Sequence, residues 1–146
     1  MSAGDTFRTD LRAALKAILD AFTNAAHAFD LVETLPERPE SYARPTPFGF
    51  VTLGDESVTF DSGTRTRTIP ASLTLVDRLT TNAESSARLD PIVDAVVLSL
   101  SQNPHLTAQS VWDSMRVTTT DAAEGETVFR QVVIDLGNVT VQDGRP

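Results

Sequence analysis

The stretch Leu89-Asp-Pro-Ile-Val-Asp-Ala-Val-Val-Leu-Ser-Leu100 decides how the rest of the chain is read. Leu89, Ile92, Val93, Val96, Val97 and Leu100 fall at i, i+3, i+4, i+7, i+8 and i+11, the spacing of one face of an α-helix. Arg88, Asp94, Ser99 and Ser101 lie off that stripe, so the helix has a wet side and a dry side. The dry side must lie on a sheet or on another helix. Asp90 is placed to cap this helix and Pro91 suits its first position, so the polar run Thr80 to Ala87 reads as a connection leading into it. Asn103-Pro104 ends it. The stripe specifies a core contact and no chemistry.

Working outward toward the N-terminus, Phe7, Leu11, Ala14, Leu15, Ile18, Leu19 and Phe22 repeat at helical spacing, which predicts an amphipathic helix from about Asp5 to His27. Asp5 or Thr6 is placed to cap it, and Arg8, Arg12, Lys16 and Asp20 form its polar face. Between Phe29 and Pro47 the periodicity collapses. Pro36, Pro39, Pro45 and Pro47 each remove a backbone donor and push the residue before them toward extended geometry, so a long extended loop is expected, with room for a short strand near Leu31 to Leu35.

Phe48 to Leu53 and Ser57 to Phe60 flank Gly54-Asp55-Glu56 and read as a hairpin. A second turn at Asp61-Ser62-Gly63 leads into the longest strand candidate, Arg65 to Val76. There the odd positions run Arg65, Arg67, Ile69, Ala71, Leu73 and Leu75, so one face is basic at its start and apolar at its end. The alternation predicts a ribbon whose later half covers the core and whose first half projects as an arm; Pro70 calls for a bulge or an edge there. Beyond the central helix come a strand candidate at Ser110 to Val117 containing Trp112, a polar loop from Thr118 to Glu126, and a Val/Ile-rich strand from Thr127 to about Leu136. That last strand reads as interior and covered on both sides, with Gly137 breaking it, Val139 to Val141 available to extend it, and a frayed tail from Gln142. The sum is an α+β domain spanning residues 1–146: one mostly antiparallel sheet of about five strands, two helices on one face, and a protruding hairpin arm.

At 146 residues the chain is long enough to hide roughly 68 to 70% of its unfolded surface in one core. It has no Cys, which removes disulfides, thiolate metal sites and thiol nucleophiles together and fits an intracellular origin. No apolar run approaches the roughly 20 residues needed to span a bilayer, and the polar start lacks a secretory hydrophobic region. With 20 acidic and 12 basic residues the net charge is −8, a sign that repels nucleic acid and anionic lipid and disfavours gripping either.

Few groups converge on chemistry. His27 and His105 have no second ligand at metal spacing and read as surface residues. Asp90 and Asp94 could pair as carboxylates, but a cap plus a solvated helix face accounts for both. No nucleophile elbow, phosphate-binding glycine loop or zinc motif occurs, and no cofactor or metal is called for. Asn138-Val139-Thr140 matches a glycosylation sequon that nothing else supports. Trp112 is open to two readings, an interface anchor or ordinary core. Arg65 and Arg67, on a net acidic protein, could meet carboxylates of a neighbouring copy or partner; a solvated hairpin tip is the competing reading.

The order of elements adds a resemblance. An N-terminal amphipathic helix, the Pro-rich passage from Leu35 to Pro47, a strand opening Phe48-Gly49-Phe50-Val51, the Thr-rich strand Arg65 to Val76, the run ARLDPIVDAVVLSLSQNPHL and a late Val/Ile strand together resemble the tail terminator, or tail completion, proteins of long-tailed bacteriophages. In that family the helix after the long strand reads Leu-Asp-x-Ile-x-Asp-Ala, then a leucine and a late Asn, as Leu89, Asp90, Ile92, Asp94, Ala95, Leu100 and Asn103 do here. Pro91 departs from the pattern. The resemblance covers nearly the whole chain and implies a virion protein, assembled in the host cytoplasm, without catalytic residues. Such a subunit closes a ring of six copies on the last ring of major tail protein, ends tube growth and offers its other face to the head connector, while DNA passes through the lumen unbound. A head-closure protein, a monomeric adaptor or chaperone outside any phage, and a small hydrolase are the alternatives; the last lacks a nucleophile and base at recognisable spacing.

Overall fold

A computed structural model describes residues 4–21, 31–33, 48–78, 81–124 and 127–144. Its elements run α1 (Phe7–Asp20), β1 (Leu31–Glu33), β2 (Phe48–Leu53), β3 (Ser57–Asp61), β4 (Thr64–Arg78), α2 (Asn82–Ser101), β5 (Ser110–Trp112), β6 (Arg116–Glu124) and β7 (Thr127–Gly144). They form an α+β fold with a single seven-stranded sheet. Strands β4 and β7 are its antiparallel spine, paired from Thr64↔Gly144 to Arg78↔Phe129. At one end β3 flanks β4 and β5 flanks β7; at the other end β2 flanks β4 and β6 flanks β7. Strand β1 joins the edge of β2 in parallel.

Both helices lie on one face. Phe7, Leu11, Leu15 and Leu19 of α1 and Leu89, Ile92, Val96 and Leu100 of α2 share one buried cluster with Val51, Ile69, Ala71, Leu73, Leu75, Val132, Ile134, Leu136, Val139 and Val141 of the sheet. The stripe that the helical spacing predicts is thus the stripe that is buried, with Val93 and Val97 half-buried at its margin. Phe50, Val76 and Phe129 make a second small cluster on the opposite face.

Helix α2 starts at Asn82, seven residues before its apolar stripe and nine before Pro91, the expected first position. Thr81 is its N-cap, and its hydroxyl accepts from the Glu84 N–H at 3.1 Å, so Asn82 to Ala87 of the polar run expected as a connection belong to the helix. Pro91 lies inside on the exposed side, where the Ala87 carbonyl that loses its helical partner can meet water. Helix α1 is described from Phe7 to Asp20; its expected end near His27, and the Pro-rich passage apart from β1, fall outside the described residues.

Two further differences share one cause. The strand expected at Ser110 to Val117 splits into β5 and β6, and the expected polar loop from Thr118 is most of β6. On β7, Leu136 and Gly137 stand against the single residue Ala71 of β4, a β-bulge between Pro70↔Asn138 and Ser72↔Asp135. Gly137 takes φ +65°, and a Cβ there would lie 2.6 Å from the Ser114 hydroxyl, so the β5–β6 connection runs close against β7 just where β7 bulges. The bulge also shifts the alternation: before it the even residues Val132, Ile134 and Leu136 face the helices, and after it the odd residues Val139 and Val141 do. Strand β7 is interior to the sheet, as its composition implies, but its face away from the helices is covered only in part, Phe129 being buried and Val133 half-buried. Gln142 and Asp143 belong to the strand and not to a frayed tail.

Candidate assembly surfaces

The basic start of β4 is where charge concentrates. Asp61 and Thr64 pair across the two-residue turn Ser62-Gly63, whose residues take φ +43° and +85°, and this sets β3 beside Thr64 to Thr68. On the other side β7 pairs with the same residues. The first half of β4 is therefore not a free arm, because it is bordered by a strand on each side; the exposed element of that hairpin is β3.

Arg65 and Arg67 alternate onto the helix side and meet carboxylates of their own chain. Arg65 donates through Nε to Asp143 Oδ1 at 3.0 Å and through Nη2 to Asp143 Oδ2 at 2.7 Å and Asp5 Oδ1 at 2.8 Å. Arg67 grips Glu56 with Nε and Nη2, the latter at 2.9 Å, donates to the Gly4 carbonyl, and sits 5.8 Å over the Phe7 ring. The two side chains keep only 12% and 17% of their exposure. The hydrogen bond from Arg67 holds the Glu56 carboxyl below its ordinary range, and the arginines are pushed up in turn, Arg65 by Asp143 first and Arg67 by Glu56 first. The Gly4 N–H donates to Asp143 at 2.8 Å, and a Cβ on Gly4 would lie 2.2 Å from that carboxylate, so glycine alone lets the N-terminal segment lie against the ion pair. The carboxylates expected from a neighbour are thus supplied internally. Asp5 and Asp143 lie 60 and 78 residues from Arg65, too far along the chain for local spacing to reveal them, while Glu56 lies 11 residues from Arg67 on the far side of β3.

Trp112 is half-buried against the core, with its indole N–H donated to the Asn103 carbonyl at 3.0 Å. Trp112 is not brought near Arg65 and Arg67 by any contact among the described residues. His105 is exposed, its Nδ1 2.7 Å from the Ser110 carbonyl oxygen, and His27 lies outside the described residues. Asp90 and Asp94 are exposed on α2. Among the described residues no group of three or more His, Cys, Asp or Glu could hold a metal ion, and no helix is long and apolar enough to cross a membrane. A depression of about 380 Å³ on α1 is lined by Arg8, Thr9, Arg12, Ala13 and Lys16, a basic stripe on an acidic chain.

The face of the sheet turned away from the helices has a different character. The strand registers place Thr64, Thr66, Thr68 and Ser72 of β4 there with Asn138, Thr140 and Gln142 of β7, Ser57 and Thr59 of β3, and Thr118 and Thr120 of β6. The Thr68 and Thr140 hydroxyls meet across the spine at 3.2 Å. Among the described residues Asp61, Arg116 and Asp135 are charges on this hydroxyl-rich surface, and at the end where Phe50, Val76 and Phe129 cluster it also carries Arg78.

No family model and no curated protein matches the sequence. Among solved structures the chain is similar to a chain in the virion of a native gene transfer agent particle, at 14% identity and a TM-score of 0.48, over 94% of this chain and 99% of that one. At that level the likeness decides neither family nor function.

Proposed function

We propose that this chain is a structural virion protein, working through surfaces copied around an axis and not as an enzyme. In its specific form the reading is a tail terminator: six copies close a ring on the head-proximal end of the tail tube, stop polymerisation of the major tail protein and receive the head connector or head-closure protein, while DNA passes through the lumen without specific binding.

The observation that carries this reading is the sidedness of the sheet. Both helices cover one face, and the other, beyond its small Phe50, Val76 and Phe129 cluster, presents hydroxyls and amides with few charges, on a chain of net charge −8. Facing a lumen, such a surface offers a phosphate backbone no cation cluster to hold it. The element order of the resemblance supports the same reading, since its helix, long Thr-rich strand, second helix and late Val/Ile strand are the parts that build this core.

Incubating the chain with purified tail tubes and major tail protein tests it. The expected result is density capping one tube end and an arrest of elongation; tubes that keep growing with both ends bare would end the proposal. A head-closure role would instead show as binding to the connector and not to tubes, and a monomeric adaptor as a single-chain mass with tubes present.

A further inference from the structure

Strands β3 and β6 each have one edge that no other strand covers among the described residues, since β3 pairs with β4 and β6 with β7. Such an edge is a template for another strand unless something blunts it. All five residues of β3 are exposed, as are residues 116–121 of β6. Three of the large apolar side chains left in solvent, Val58 at 45%, Phe60 at 55% and Val117 at 45%, are on these two strands and on the helix side of the sheet.

Backbone geometry limits how two such edges can meet. In an antiparallel ladder, residues bond alternately inward and outward. The Asp61–Thr64 pair closing the two-residue turn directs Ser57, Thr59 and Asp61 toward β4 and leaves Val58 and Phe60 with outward N–H and C=O groups. The same count from the Glu124–Thr127 pair leaves Val117 and Thr119 outward on β6. Outward residues must face outward residues, and the helix sides of both sheets must coincide.

We infer that β3 of one copy adds antiparallel to β6 of a second copy, with Phe60 opposite Val117, Val58 opposite Thr119, Thr59 opposite Thr118, Ser57 opposite Thr120 and Asp61 opposite Arg116. This register satisfies both constraints, joins the exposed apolar side chains on one face and sets an acid against a base on the other. Neither Asp61 nor Arg116 has an ion-pair partner within its own chain among the described residues. Sliding by two residues in one direction puts Val58 against Asp121 and loses both matches; in the other it keeps an apolar pair, Val58 with Val117, but puts Asp61 against Ser114 and loses the acid–base match. The contact is head-to-tail, so each copy keeps one β3 or one β6 edge for the next, and repetition closes a ring or continues as a filament. It supplies the subunit seam that the ring of the proposed function requires, yet it is read from strand edges alone.

The absence of Cys makes the test clean. Thr59→Cys and Thr118→Cys are made in separate preparations. The register sets them as a non-hydrogen-bonded pair with Cα atoms about 4.5 Å apart, within disulfide reach. Oxidising the concentrated mixture is expected to give a covalent dimer holding one chain of each kind, and neither preparation alone should dimerise. Adding Asp61→Arg to the first chain should cut the yield about fivefold, and adding Arg116→Asp to the second should restore it. No mixed dimer from variants with unchanged circular dichroism, cross-linking of Thr59→Cys with itself, or failure of the charge swap to rescue would each overturn the seam. Cross-linked chains that ignore tail tubes would leave the seam standing and remove the tail reading, and capped tubes without the cross-link would do the reverse.

Discussion

The two halves of β4 lie in one strand, on one face of one sheet, and are held by different physics. From Ile69 to Leu75 the helix-side residues are fully buried under α1 and α2, and removal of apolar surface from water fixes them. From Thr64 to Thr68 the helix-side residues are Arg65 and Arg67, fixed by Asp5, Glu56 and Asp143. The apolar half needs only the helices that its neighbours in sequence already predict. In the charged half Arg65 needs partners 60 and 78 residues away, and Arg67 one 11 residues away. Alternation shows which side a residue takes, whereas the chemistry waiting on that side is settled by distant chain.

The contrast breaks most sharply in the apolar half. Leu73→Ala leaves a cavity at a fully buried position, and urea denaturation should show a loss of about 2–5 kcal/mol with an unchanged slope. In the charged half, Arg67→Leu strands the Glu56 carboxylate; the same measurement should show about 1–2 kcal/mol, the lower end applying because the cluster's rim meets solvent.

A smaller effect separates the halves by pH. The Glu56 carboxyl is depressed in the folded state, so its contribution is fully present above its ordinary value of 4.5 and is lost as pH falls through the lower folded value. Melting temperature should therefore fall on acidification below about 4.5, and Glu56→Gln should flatten that descent, whereas Leu73→Ala should shift the whole profile downward without changing its shape. The smallest change lies outside β4: Thr81→Ala removes the α2 cap and should cost about 1 kcal/mol in thermal or urea unfolding, with no change in the acid profile.

Much of this architecture is legible in the residues. The stripe from Leu89 to Leu100, the α1 periodicity and the hairpin around Gly63 each carry a local signal and appear as those signals imply, whereas the hairpin expected around Gly54 does not form: β2 and β3 follow one another along the same edge of β4 and pair with it, not with each other. The start of α2 was obscured by Pro91, which suits a first helical position; Thr81 with Glu84 three residues on is the competing start signal, and it prevails. Strand β6 lacks apolar alternation, so only its pairing with β7 makes it a strand, although three successive threonines hint at it. Alternation places Arg65 and Arg67 on the helix side, but the carboxylates of Asp5 and Asp143 that meet Arg65 there have no local signature. Trp112 could be read either way from sequence because a half-buried indole with one hydrogen bond serves both descriptions.

The bulge at Gly137 has a last consequence. Were Gly137 to take an ordinary place in the ladder instead of bulging, everything downstream in β7 would turn inside out: Asn138, Thr140 and Gln142 would point at the helices, and Val139 and Val141 at water; deleting it would remove the bulge and leave those sides as they are. At this end of the molecule, which side is core hangs on a count of residues as much as on their chemistry.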